Sequence, residues 1–318
     1  MTLRKFLLAA AAATLLATPA ISQSYPTKSV TIVVPFGAGS ITDALARVLA
    51  DKLGTMWKQS VVVENKPGLP GTASVAKSAP DGYTLMLTSN GHTIANAINK
   101  DVPFDSVKDF AGVTVIAAVP TVAIVPADSS AKTLQDFIAL AKASPGKLNF
   151  SSAGVASTTY LAAEILKQSA KIDIVHVPYK GVPDATTAVI RNDVQLYFAP
   201  IPNAKELSAG GKVRMLAINS EKRAPNLPDV PTVLESGVTG YKYDSWFGVM
   251  ARAGTPREIL TKISQDIAQV LKMPDVIEKL NTFGAFPAPN TPAQFDAIIK
   301  SDAERYAVVL KAAGIGTN

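Results

Sequence analysis

Cysteine is absent from this 318-residue sequence. That excludes disulfides, thiolate nucleophiles and thiolate metal sites. Histidine is scarce: His92 and His176 are the only two, and no H-x-x-x-H or comparable spacing exists. A metal centre built from convergent His, Cys or carboxylate ligands therefore has no visible basis, and no metal or other cofactor is expected. Aromatic residues make up 7%, and no run of five like charges occurs. A nucleic-acid surface would show clustered Lys/Arg interleaved with stacking aromatics, so nucleic acid is not an expected partner. Phosphate-binding fingerprints are missing as well. A dinucleotide G-x-G-x-x-G begun at Gly37-x-Gly39 needs a third glycine where Thr42 stands, and Gly211-Lys212 lacks the strand–loop–helix frame of a P-loop. No G-x-S-x-G elbow supports an esterase-like nucleophile.

What is present begins with a leader. Arg4 and Lys5 precede a short run of small and apolar residues from Phe6 to Ala17, and Ala20-Ile21-Ser22 offers a small-residue cleavage site. This is the pattern of a signal peptide over residues 1–22, too short for a membrane span of about 20 apolar residues. No later stretch is long enough to span either, so no stable membrane insertion is expected after cleavage. Removing Arg4 and Lys5 lowers the formal net charge of +6 by two, leaving a mild positive balance that attracts small anions. Hydrophobic residues at 47% are ample for core burial, enough for one large or two medium domains.

The mature chain alternates strand and helix patterns. Val30–Val34 is a continuous β-branched run, followed by Phe36-Gly37-Ala38-Gly39-Ser40 and a helix with Leu45, Val48, Leu49 and Leu53 on one face. Ser40-x-x-Asp43 has capping-box spacing. Strands follow at 61–63 and 83–88, separated by the Gly/Pro-rich loop 65–71 and a short helix over 72–79. A second α/β set runs from Val122 to Ile218. The alternation predicts βαβ units and largely parallel sheets. After Trp246 the chain is mostly helical, too thin for its own sheet, and is expected to complete the first half. The expected division is residues 23–123 plus 246–318 as one lobe and 124–245 as the other. Two crossing segments join them, near 121–126 and 243–249, with a cleft at the carboxyl ends of the strands.

Three strand-to-helix loops carry the candidate chemistry: Phe36–Asp43, Ser89–Thr93 with Asn90 and His92, and Ser151–Thr159. A helix N-terminus offers free N–H groups and partial positive charge. Small residues let an anion approach closely, and Ser/Thr hydroxyls add neutral donors. Each loop is also an ordinary place for N-caps, as are Asp43 and Asp184. His176, in an apolar strand, reads as structural. His92 is the one residue on which a hydrolase-like enzyme could be built.

The chain resembles the Bug-type solute receptors of tripartite tricarboxylate transporters. The resemblance rests on ordered blocks from Tyr25-Pro26 to Gly314. Among them are residues 33–43, 62–68 and 79–85, Ser144–Phe150, His176–Gly181, Leu227–Thr232 and Ser245–Gly248. It implies a type II periplasmic binding protein fold, with two α/β lobes, a central cleft and two crossover segments. It implies a periplasmic, non-enzymatic receptor for a small organic carboxylate, such as a di- or tricarboxylate, aromatic ones included. Membrane transporter subunits are the implied docking partners. A ligand-sensing subunit or an exported enzyme on the same fold are the alternatives. By motif position, Phe36, Gly37, Ala38, Gly39, Ser40 and Thr42 grip from the first lobe, with Asp43 beside the ligand. Ser89, Asn90, His92 and Thr93 line the same wall. Ser152, Ala153, Gly154, Ser157, Thr158 and Thr159 grip from the second lobe, with Pro178, Tyr179, Gly181 and Asp184 closing over. The chain departs from the family at Ser40, where consecutive glycines are common, and at Ala199, where relatives often carry Asp. Both are expected to tune specificity.

Overall fold

The computed structural model of the protein describes residues 25–99, 101–154, 157–243 and 245–315. The predicted signal peptide lies outside them. In the first half, strands β1 (Val30–Val34), β2 (Val61–Asn65) and β3 (Thr84–Ser89) alternate with helices α1 (Ile41–Trp57) and α2 (Leu69–Ala76). A 3-10 turn, Asn90–Ile94, leads into the short α3 (Ala95–Ile98), and β4 (Phe110–Ala118) follows. The second half holds β5 (Thr121–Pro126), α4 (Leu134–Ala143), β6 (Asn149–Ser152), α5 (Thr158–Ala170) and β7 (Val175–Pro178). It continues with α6 (Val182–Ile190), β8 (Leu196–Pro200), α7 (Ile201–Ala209) and β9 (Val213–Ile218). The chain ends with β10 (Trp246–Arg252), α8 (Arg257–Val270), α9 (Pro274–Thr282), β11 (Phe286–Pro287) and α10 (Pro292–Ala312).

Two sheets result. The six-stranded one runs β11-β4-β10-β3-β1-β2, and the five-stranded one runs β7-β6-β8-β5-β9. Both are mixed rather than largely parallel, contrary to expectation. β1 pairs parallel with β2 and β3, and β6 with β7 and β8. β10 runs antiparallel to both β3 and β4, and β5 antiparallel to β8 and β9. The reason is topological. β5 and β10 enter their sheets from the other half rather than through a βαβ crossover, so the right-handed parallel rule does not bind them. The passages between halves run side by side, with the Val119 N–H donating to the Ser245 carbonyl at 3.0 Å.

Helices cover both faces of the six-stranded sheet. On one face Ile32, Leu45, Leu49, Leu87, Val249, Ile263 and Ile267 form the core; on the other, Val33, Met86, Trp246, Met250 and Phe295. This explains why β1 reads as an unbroken β-branched run rather than an alternation. Gly248 leaves the space that the Phe295 ring occupies. The final helix α10 serves both halves. Phe295, near its start, packs edge-on against Trp246, whereas Tyr306, Val309 and Leu310 join the core beside the five-stranded sheet. There the Gln168 Nε2 donates to the Val309 carbonyl at 2.9 Å.

Helix starts depart from expectation in one consequential place. α2 begins at Leu69, inside the segment read as a Gly/Pro-rich loop, because Pro70 sits in its first turn, where a missing N–H costs nothing. Gly68, at its N-cap, has a φ of 77°, a conformation that favours glycine.

Candidate functional site

A cavity of about 880 Å³ lies between the two sheets. Its walls come from the carboxyl ends of parallel strands: Phe36 after β1, Ser89 at the end of β3, Ala153 after β6 and Lys180 after β7. This is where open α/β sheets place ligands.

The first wall is the start of α1. Ser40 caps it, its Oγ accepting from the Asp43 N–H at 3.2 Å. The expected capping box is only half made. The Asp43 carboxylate reaches past Ser40 to the Gly39 N–H at 2.9 Å, and it also accepts from Arg47 and from the Asn65 amide at 3.0 Å. Burial alone would raise the Asp43 carboxyl, but these bonds outweigh it and hold the group below the usual carboxylate range. Asp43 thus braces the loop from behind and does not border the cavity. Phe36, Ser40, Ile41 and Thr42 do border it, whereas Gly37, Ala38 and Gly39 form an exposed tip outside it.

The second wall is the 3-10 turn after β3. Ser89, Gly91 and His92 face the cavity. The His92 Nε2–H donates to the Ser106 carbonyl at 2.8 Å, and the ring lies against Phe104 and Phe110. Burial pushes its pKa down to about 4, only partly opposed by that carbonyl. The ring is therefore neutral at pH 7 and its Nε2 is committed, which leaves no Ser-His pair at this position. Thr93 turns inward, its hydroxyl donating to the Asn90 carbonyl at 2.8 Å. Asn90 is fully buried, and its Nδ2 donates to the Tyr243 Oη at 3.1 Å; that hydroxyl in turn donates to the Thr158 carbonyl at 2.9 Å. Tyr243 thereby ties the 3-10 turn of the first half to α5 of the second. Burial raises its phenol well above the ordinary value.

The third wall is the start of α5, capped by Ser157, whose Oγ accepts from the Tyr160 N–H at 3.1 Å. Ala153, Ser157 and Thr158 border the cavity. Ser152 and Thr159 are buried behind them: the Thr159 Oγ1 accepts from the Ala153 N–H at 3.0 Å, and Ser152 shares a 2.6 Å bond with the His176 Nε2. Gly154 is tied to the Ser152 hydroxyl. His176, read as structural, is half-buried between Phe150 and Tyr160 and supports this loop. Burial, and secondarily Lys167, push its pKa down to about 4.

Gly181 borders the cavity at the N-cap of α6. Pro178 and Tyr179 do not, and Asp184 is solvent-exposed away from it. Ala199 is fully buried, paired with Val122 inside the second sheet, so the departure there changes the core and not the lining. Sequence reasoning missed Gly68, Leu69 and Thr72, which the early start of α2 brings to the cavity, together with Ile98, Val102, Phe104 and Lys180. Pro70 was the available sign for the first group. Lys180 is the one charged side chain among the described lining residues, exposed and without an ion pair.

The caps leave part of each helix end open. Among the described residues, the N–H groups of Ile41 and Thr42 on α1, and of Thr158 and Thr159 on α5, have no protein acceptor. Such groups, with the positive end of each helix dipole, suit an anion. No group of three or more metal-binding side chains occurs among the described residues.

Comparison with known proteins finds relatives along nearly the whole chain. Protein BugT of Bordetella pertussis is 32% identical over 304 residues, covering 94% of this chain and 93% of the relative. The solved structure of Rhodopseudomonas palustris Rpa4515 with adipate is 34% identical, with a TM-score of 0.76, covering 92% of this chain and 99% of that one. R. palustris MatC with bound malate is 30% identical, with a TM-score of 0.72, covering 90% and 100%. The two-lobed binding fold and the Bug resemblance are both upheld. Residues 45–315 match the sequence model described as "Tripartite tricarboxylate transporter family receptor", and the chain belongs to that family.

Proposed function

We propose that the protein is an exported periplasmic receptor that captures a small organic carboxylate between its lobes and presents it to a membrane transporter of the tripartite tricarboxylate type. The lobes are residues 23–120 with 246–318, and 121–245, the boundary expected at 123 moving to before β5 because all of Thr121–Pro126 lies in the five-stranded sheet; residues 1–22 are the export signal. The last turns of α10 bear on the second lobe's core as a further link. The observation that carries the reading is the pair of unpartnered helix starts, Ile41 with Thr42 and Thr158, bordering one cavity from different lobes. Ser40, Thr42, Ser89, Ser157, Thr158 and Gly181 serve as the grip. Asp43, Ser152, Thr159 and His176 hold the grip loops in shape. Two related solved structures, Rpa4515 with adipate and MatC with bound malate, point to the same ligand class. An enzymatic role finds no support in His92, whose Nε2 is occupied.

The test is ligand-induced stabilisation of the mature protein against a panel of mono-, di- and tricarboxylates, with small-angle scattering to follow closure. A ligand at a hundred times its Kd adds about 2.7 kcal/mol, a rise of several degrees in melting temperature. A folded protein that responds to no carboxylate in the panel defeats the proposal.

A further inference from the structure

The cavity is not uniformly polar. Its hydroxyls and open N–H groups occupy the helix starts, but Leu69, Ala95, Ile98, Val102 and Phe104, all from the first lobe, add apolar lining. Leu69, Ala95 and Val102 pack onto the core that contains Phe104, so this lining is anchored rather than loosely exposed. Ile98 is different: it is one of the few large apolar side chains left open, at 37% exposure, and it opens onto the cavity. An apolar side chain open to a ligand cleft is stabilised when an apolar ligand group removes it from water.

The formal charge of the lining is equally informative. Among the described lining residues His92 is neutral and Lys180, on the second-lobe side, is the one formal charge, with Asp43 turned away. Two helix starts contribute only fractional charge. This one formal cation and the two partial ones belong to the hydroxyl-bearing segments, and among the described lining residues none belongs to the segments that supply Leu69, Ile98, Val102 and Phe104. Citrate would bring two further carboxylates to a wall of Leu, Ile, Val and Phe, where ionised groups have no counter-charge and lose their hydration.

We propose, building on the receptor reading, that the cargo is a carboxylate with one anionic end and an apolar body, either an aromatic ring or a medium-length alkyl chain. The carboxylate lies at the helix starts near Lys180, and the body lies against Ile98, Val102, Phe104 and Leu69. Hydroxylated di- and tricarboxylates are the poorer ligands.

Calorimetric titration of the mature protein with benzoate, octanoate, malate and citrate tests this. Benzoate or octanoate is expected to bind at least tenfold more tightly than malate or citrate. Ile98→Asn weakens the better apolar ligand fivefold to tenfold, whereas Ile98→Leu stays within twofold of the parent. Because Ile98 is partly exposed, both variants keep the parent's circular dichroism spectrum and melt. Lys180→Gln weakens the same ligand and flattens its dependence on salt. Tight binding of malate or citrate with none of benzoate or octanoate overturns the apolar-body assignment while leaving the receptor reading intact. Equal tolerance of asparagine and leucine at position 98 also overturns it. Failure of all four ligands to bind the folded protein overturns both.

Discussion

Acidification from pH 7 to pH 5 should weaken the protein through its two histidines. Both are held neutral, with pKa values pushed down to about 4, against about 6.5 in an unfolded chain. A base depressed in this way is protonated more readily when unfolded. Its contribution is therefore intact above about pH 6.5 and drains away as pH falls toward 4. At pH 5 an unfolded histidine is almost fully charged, whereas the buried one is still mostly neutral. The difference is worth about 2 kcal/mol for His92. His176 is only half-buried, and solvent screening reduces its share to about 1 kcal/mol. Together they are a substantial part of a typical stability of 5–15 kcal/mol. Urea denaturation at pH 7, 6 and 5 reads the effect directly. The parent midpoint should fall across the series, and His92→Gln, whatever its stability at pH 7, should show a slope shallower by about 2 kcal/mol over the same range. Parallel slopes for parent and variant would refute the claim that the His92 ring, donating to Ser106 between Phe104 and Phe110, is locked neutral.

Other outcomes follow from particular contacts. Tyr243→Phe removes the hydroxyl shared by Asn90 and Thr158 and should cost about 2 kcal/mol; scanning calorimetry should show melting lowered by a few degrees, and an unchanged melt would contradict the bridge. Gly248→Ala places a Cβ on the Phe295 ring and should destabilise by about 1–3 kcal/mol. Phe295→Leu in the same chain should recover part of that loss, and strict additivity of the two in a denaturation cycle would show that they do not meet. Asp43→Asn should remove an acid-sensitive component. Because the Asp43 carboxyl is held low, its contribution is present above about pH 4 and lost below it, so parent and variant acid-unfolding curves should converge as pH falls through that range.

Much of this architecture was legible because local chemistry and tertiary structure agree. Five consecutive β-branched residues at Val30–Val34 can scarcely be anything but a strand buried on both faces. Ser40 and Ser157 cap helices, as their positions suggest. Strand direction was not legible, because the side chains of β10 carry no record of which way its neighbours run. The long strand β4 is hidden for a similar reason: nothing in Phe110–Ala118 marks it as a partner of a strand more than a hundred residues later. At the site, spacing located the three loops but not which of their residues face inward. Gly37–Gly39 look suited to cradle an anion, yet the Gly39 N–H is taken by Asp43. The apolar side was invisible because Leu69, Ile98, Val102 and Phe104 come from two separate segments that meet only in the folded chain.

The position of β10 sets an order of assembly. The five-stranded sheet is made from one uninterrupted stretch, residues 121–218, and holds every partner it needs. The six-stranded sheet does not: β10 is inserted between β3 and β4 near its middle. Until Trp246–Arg252 arrives, β3 and β4 each present a bare edge, the kind of surface through which chains aggregate. The half nearest the N-terminus is thus the half that must finish last. A truncation before residue 246 should leave those two edges open for good, giving insoluble protein rather than a stable half-molecule.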